Sequence, residues 1–112
     1  MKQGGLTREE ENAVREFVAR LRDRFPQEVE AVKIYGSKAR GTAHPESDVD
    51  LLIIVKDRTK AIDEAVIDLV CDMIDEFGVF LETVTLASTD YHSAIEQQAP
   101  FVLNVERDAI SL

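Results

Sequence analysis

One apolar run of strand length, VDLLIIV at residues 49–55, carries a carboxylate near its start. Its continuous hydrophobicity predicts a strand that is buried on both faces. Residues i and i+2 of a strand point to the same side, so Asp48 and Asp50 should project together, with Cα atoms roughly 6–7 Å apart. Unpaired carboxylates at the entrance of a buried strand are costly, and this favours a cation bound beside them.

The rest of the chain alternates between helical and extended patterns. Apolar periodicity predicts long helices over residues 7–24 and 59–77, and strands over Val29–Tyr35, Val49–Val55 and residues 79–86. A short helix capped by Ser88 or Thr89, a turn from Pro100 to Val105 and a short edge strand at the end should follow. This order predicts the α/β (α+β) class, with a small mixed β-sheet, helices packed on one face and one domain over residues 1–112. The pattern leaves the strand directions open.

Composition and charge exclude several classes of protein. The chain has 112 residues and a formal net charge of −9 at pH 7. No apolar run approaches the roughly 20 residues that cross a bilayer, and the first residues lack a signal-peptide core, so we expect a cytoplasmic protein without membrane contact. The acidic charge disfavours direct binding of nucleic acid. The single cysteine, Cys71, excludes an internal disulfide and a cysteine-based zinc site, and its apolar neighbours predict a core position.

The turn after the first predicted strand has residues that suit a phosphate group. Gly36 lets the backbone pass close to a ligand, and Ser37 offers a hydroxyl and an N–H at the start of a helical turn. Lys38 and Arg40 add positive charge nearby. Since Mg²⁺ prefers carboxylate oxygens, a phosphate at this turn and cations at the paired aspartates would suit a nucleoside triphosphate, provided that the two strands are neighbours.

The stretch GSKARGTAHPESDVDLLIIV, residues 36–55, resembles the G-S-x-A-R-G and S-D-x-D-L signature of minimal nucleotidyltransferases, which belong to the DNA polymerase β-like superfamily. The resemblance implies that Gly36 and Ser37 hold the triphosphate of ATP. Arg40 matches the motif, either contacting phosphate or bracing the loop. Asp48 and Asp50 would bind two Mg²⁺ ions. The implied reaction is transfer of AMP from ATP to a hydroxyl group, with pyrophosphate leaving.

The same resemblance implies a third carboxylate on the next core strand. The only acid in the run VFLETVTL is Glu82, where many relatives carry Asp. Glu82 would complete the catalytic and metal-binding set with Asp48 and Asp50, as a base or by positioning the attacking hydroxyl. Glu is one methylene longer than Asp, so an exposed strand residue is an equally good interpretation.

The resemblance also implies a partner. Minimal nucleotidyltransferases typically work beside a HEPN-domain toxin, as antitoxins that attach AMP to a tyrosine hydroxyl of that toxin. The chain has no room for an acceptor-binding domain, so we expect the acceptor site to come from a partner protein or a second copy, in a hetero- or homo-oligomer. Two alternatives stay open. One is an antitoxin that neutralises its partner by binding alone, and the other is an enzyme that modifies a small hydroxylated molecule.

Overall fold

The computed structural model describes residues 5–41 and 48–112, and the loop expected between the two halves of the motif lies outside these ranges. The helices are α1 (Arg8–Arg24), α2 (Ser37–Arg40), α3 (Lys60–Phe77), α4 (Ser88–Glu96) and α5 (Pro100–Asp108). The strands are β1 (Val29–Tyr35), β2 (Val49–Val55), β3 (Leu81–Ala87) and β4 (Ile110–Ser111). Among the described residues, no helix combines the length and hydrophobicity needed to cross a bilayer.

The four strands form one sheet in the order β3-β2-β1-β4. Strand β1 pairs antiparallel with β2 and with β4, whereas β2 pairs parallel with β3. The predicted mixed sheet and the short edge strand at the end of the chain are therefore confirmed. The pairing also gives the strand directions that the sequence pattern left open.

The two long helices begin and end where the capping residues predict. Thr7 and Glu10 form both halves of a capping box at the start of α1. Thr59 caps α3, because its hydroxyl accepts a hydrogen bond from the N–H of Ile62 at 3.2 Å. Gly78 ends α3 in the left-handed conformation, with φ of 67°.

The larger part of the core lies between the sheet and the two long helices. Phe17 of α1 and Met73 of α3 are fully buried, and they belong to one cluster with Leu51 and Ile53 of β2. Cys71, expected in this core, is instead exposed. Positions 69 and 73 face the sheet, and at about 100° per residue position 71 falls on the opposite side of the helix.

The opposite face of the sheet carries a second, smaller cluster. Leu52 and Ile54 of β2 pack there with Tyr91 of α4 and with Val102 and Val105 of α5. The expectation of helices on one face therefore holds only for α1 and α3. Strand β2 is apolar on both sides, so its second face also needs cover, and the two short C-terminal helices supply it.

These two short helices differ from the prediction at their ends. Helix α4 begins at Ser88, directly after β3, with Ala87 at the N-cap and no side-chain cap. The predicted cap at Ser88 or Thr89 is therefore wrong, because the chain turns from strand to helix without a linker. Helix α5 runs on to Asp108 instead of ending as a turn at Val105, since its buried residues recur at helical spacing.

The two candidate caps provide a matched test of this description. Thr59→Ala should lower the free energy of unfolding by about 1 kcal/mol, because it removes a side-chain cap. Ser88→Ala should change it by less than about 0.5 kcal/mol, because no cap hydrogen bond is lost. Equilibrium unfolding in urea measures both values. Equal losses in the two variants would contradict the assignment of the caps.

Candidate active site

The chain directions bring three strand ends to one edge of the sheet. Strand β1 ends at this edge, whereas β2 and β3 begin there. In the observed register Tyr35 lies opposite Asp50, and Asp50 lies opposite Glu82. Directly paired residues share a face of the sheet, so these three side chains stand in a row across β1, β2 and β3.

The turn after β1 lies directly against the central carboxylate. A Cβ atom on Gly36 would be 2.7 Å from Oδ2 of Asp50, closer than non-bonded atoms allow. Gly36 also has φ of 76° and ψ of −154°, a backbone region that essentially only glycine adopts. The condition set by the sequence analysis, that the two strands are neighbours, is therefore met, because β1 pairs directly with β2.

The carboxyl groups at this edge influence one another. Burial raises the pKa of Asp50 to about 6, and hydrogen bonding to Glu82 and the charges of Glu82 and Asp48 act in the same direction. Burial likewise raises the pKa of Tyr35, with the charges of Asp50 and Glu82 as additional causes. Three acidic side chains and one phenol therefore share a single electrostatic environment, in which a cation would relieve repulsion.

The acidic set fits a hard divalent cation in its chemistry. Carboxylate oxygens are the ligands that Mg²⁺ prefers. The side chains of Asp48 and Glu82 are exposed at this edge of the sheet. Within residues 5–41 and 48–112, however, no three histidine, cysteine or acidic side chains converge closely enough to form a ready-made metal site. The assignment of Asp48, Asp50 and Glu82 as metal ligands therefore stays a prediction.

The other motif residues lie on helix α2, which follows Gly36 at once. Ser37 is the first residue of this single helical turn and Arg40 is the last, and Gly41 ends it in the left-handed conformation. Ser37 is partly exposed and Arg40 is exposed. Their position next to the carboxylate edge is compatible with phosphate binding, and their roles as ligands of ATP stay predictions.

Lys38 has a different role from the one expected. Its side chain is fully buried, and its Nζ lies 2.9 Å from Oε2 of Glu10, whose side chain is 10% exposed. The same Glu10 accepts a hydrogen bond from the N–H of Thr7 as part of the capping box. Lys38 therefore does not offer its charge to a ligand at the surface, and its partner Glu10 is buried as well. Instead, the pair fastens the Gly-Ser turn to the start of α1.

A small cavity beside the turn contains residues that the sequence pattern did not single out. It has a volume of about 170 Å³ and lies between the end of β1 and helix α5. The residues that line it are Tyr35, Gly36, Arg40, Phe101, Asn104 and Val105. No local signal indicates this grouping, because it depends on how α5 packs against the sheet.

Comparisons with known proteins agree with this geometry. Residues 14–108 match a family model described as a nucleotidyltransferase domain. The chain is 33% identical over 82 residues to MJ1305 and 33% identical over 76 residues to MJ0604, both of Methanocaldococcus jannaschii and both provisionally named protein adenylyltransferases. These matches cover 70% and 67% of the chain, and 56% and 71% of the respective relatives. The chain thus spans little more than half of MJ1305.

A solved structure also has the same fold. It is described as a toxin–antitoxin with AMP-PNP, and it superimposes with a TM-score of 0.59 at 20% sequence identity. The match covers 94% of this chain and 72% of that chain.

The close approach of Gly36 to Asp50 can be tested with a matched pair of glycines. Gly36→Ala adds backbone strain of about 1–3 kcal/mol and forces the Asp50 carboxylate to move. Gly78→Ala adds left-handed strain of about 1–2 kcal/mol alone, because nothing lies within 4 Å of its new Cβ. Urea unfolding should therefore show the larger loss of stability for Gly36→Ala. A larger loss for Gly78→Ala would contradict the contact.

The buried ion pair is tested by removing one charge while keeping the cap. Glu10→Gln retains an acceptor for the N–H of Thr7, but it leaves the buried Lys38 ammonium without this counter-charge. We expect the free energy of unfolding to fall by about 1.5–3 kcal/mol, because a buried hydrogen bond between two charged groups is weakened.

The matched control is Glu9→Gln, one residue earlier and exposed. It should change the free energy of unfolding by less than about 0.5 kcal/mol. Similar values for the two variants in chemical denaturation would show that the buried pair does not fasten the turn.

Proposed function

Because this chain belongs to the nucleotidyltransferase domain family, we propose that it transfers AMP from ATP to a hydroxyl group of a partner protein. The observation that carries the proposal is the close approach of Gly36 to the carboxylate of Asp50, whose Oδ2 would lie only 2.7 Å from a Cβ atom on the glycine. This approach brings a turn suited to phosphate oxygens next to carboxylates suited to cations. A nucleoside triphosphate with its cations needs both within a few ångströms of each other.

Each residue at the edge has a distinct part in the proposed reaction. Gly36 and Ser37 hold the phosphates, and Arg40 adds positive charge beside them. The acceptor oxygen attacks the α-phosphorus, which forms the new O–P bond and breaks the bond to pyrophosphate. The hydroxyl proton passes to Glu82, because this carboxylate is exposed and lies on the outer strand β3, next to Asp50.

Asp48, Asp50 and Glu82 are the residues that would hold Mg²⁺ in this scheme. When bound, the ions supply charge neutralisation for the phosphates and a lower pKa for the attacking hydroxyl. The raised pKa of Asp50 supports the fit, since burial and neighbouring acids disfavour its charged form in the absence of a cation. The oxygen-only donor set also favours Mg²⁺ over softer metals.

The acceptor that we propose is a tyrosine hydroxyl of a HEPN-type toxin, with this chain as the antitoxin. The names of MJ1305 and MJ0604 as protein adenylyltransferases support a protein acceptor. The toxin–antitoxin neighbour with AMP-PNP, an ATP analogue, supports both the nucleotide and a toxin partner. The resemblance in the motif supports the HEPN class and the tyrosine, and the active assembly is then a hetero-oligomer.

A transfer assay with ATP labelled at the α-phosphate tests the proposal. Wild-type protein with Mg²⁺ and a lysate of its host should label one discrete protein band. Asp50→Asn should reduce the labelling at least about 100-fold, since cation-based charge stabilisation contributes several kcal/mol and each 1.4 kcal/mol is tenfold in rate.

Two controls make this result specific. Asp57 is an exposed aspartate beyond the other end of β2. The Asp57→Asn variant should transfer as much label to the protein band as the wild type does. Label at the γ-phosphate should not be transferred, which separates AMP transfer from phosphorylation. No labelled protein, with ATP still bound in a titration, would contradict a protein acceptor and favour a small-molecule acceptor or an antitoxin that acts by binding alone.

A further inference from the structure

The cavity between β1 and α5 adjoins the candidate active site directly. Gly36 forms part of its wall and leaves no room for a Cβ atom beside Asp50. Tyr35 lines the cavity and lies opposite Asp50 in the sheet. A ligand that has its phosphates at the Gly-Ser turn therefore has this cavity within reach of its remaining atoms. The proposed function gives the cavity no role.

The walls of the cavity are mainly aromatic and aliphatic. Phe101 meets Tyr35 edge to face, with ring centroids 5.2 Å apart and an angle of 88° between the planes. An edge-to-face contact leaves ring surface uncovered, and Phe101 is 39% exposed although it lies on a helix that packs against the sheet. Such a ring offers a stacking surface to a second planar group.

Two polar groups complete the lining. Asn104 has an amide that can donate and accept hydrogen bonds, and its Oδ1 already accepts one from Arg107 at 3.2 Å. Arg40 supplies a planar guanidinium on the side of the Gly-Ser turn. An apolar site with a few polar groups that fix orientation is typical of pockets for small organic ligands.

The size of the cavity limits its occupant. Sites that enclose a drug-sized ligand usually measure about 300–1,000 Å³, and this cavity has about 170 Å³. It can therefore hold one ring system rather than a whole nucleotide. An inorganic phosphate group is the less suitable occupant, since it gains nothing from an exposed aromatic ring.

We infer that this cavity receives the nucleobase of the nucleotide, with Phe101 as the stacking residue and Asn104 as the hydrogen-bonding residue. The inference rests on the proposed function, because it requires the phosphates at Gly36 and Ser37. It identifies Phe101 and Asn104 as binding residues that lie far along the chain from the motif.

The test compares two ligands that differ in the nucleobase. Binding of ATP and of inorganic tripolyphosphate is titrated in the presence of Mg²⁺. Phe101→Ala should raise the Kd for ATP about 5- to 150-fold, as expected from alanine replacement of an aromatic ring that stacks on a base. It should leave the Kd for tripolyphosphate unchanged, because that ligand has no base.

Two further variants keep the test decisive. Leu103 lies on the same helix, is exposed to a similar degree (42%) and is not part of the cavity wall. The Leu103→Ala variant should therefore leave both Kd values unchanged. Phe101→Leu keeps an apolar side chain against Tyr35 but removes the ring, and it should weaken ATP binding even if the alanine variant unfolds.

The outcomes separate this inference from the proposed function. If both Phe101 variants weaken the binding of ATP and of tripolyphosphate equally, or weaken the binding of neither, the nucleobase site is overturned while the proposed active site stands. If the wild type binds neither ATP nor tripolyphosphate, the proposed function fails, and this inference fails with it.

Discussion

Strand β2 pairs antiparallel with β1 and parallel with β3, and this mixed pairing determines where the candidate residues on these strands and in the Gly-Ser turn lie. With the opposite direction for either neighbour, the end of β1 or the start of β3 would be at the far edge of the sheet. Gly36 or Glu82 would then be a full strand length, roughly 20 Å, from Asp50. Asp50 helps to fix the register of β2, because a slip by one residue would exchange the two apolar faces and move this carboxylate into the larger core.

The charges around this edge favour a bound cation in the proposed reaction. The chain carries a net charge of −9, and its acidic edge would repel a triphosphate. Of the two basic residues in the motif, Lys38 is committed to Glu10 inside the protein. That leaves Arg40 as the exposed motif cation at the end of α2. One guanidinium does not balance a triphosphate and several carboxylates, so binding of the nucleotide should depend on divalent ions that neutralise both.

Local signals in the sequence were sufficient for most of the fold. Caps, glycine stops and apolar periodicity are short-range features, and they predict the ends of α1, α3 and β1 correctly. The burial of Lys38 and Glu10 could not be predicted in this way. Both are charged residues on apparently polar faces, and only the packing of α2 against α1 removes them from water. Helices α4 and α5 were harder for the same reason, since their apolar residues become a pattern only against the second face of β2.

The candidate site likewise has one part that local sequence signals predict and another that depends on how the strands and helices pack. Its motif half, from Gly36 to Asp50, is close in the sequence and could be recognised there, and the family resemblance also pointed to Glu82. Only the strand register shows that Tyr35 and Glu82 both lie beside Asp50. Phe101 is further removed, because it reaches the edge through the packing of a helix near the end of the chain. Four consecutive residues, at the end of β1 and in the turn that follows, link the different parts of the site. Tyr35 faces the cavity, Gly36 faces the carboxylate, Ser37 begins the helical turn and Lys38 fastens it from within. A buried ion pair contributes little net stability compared with well-packed apolar residues, so its value here lies in holding this turn in one position.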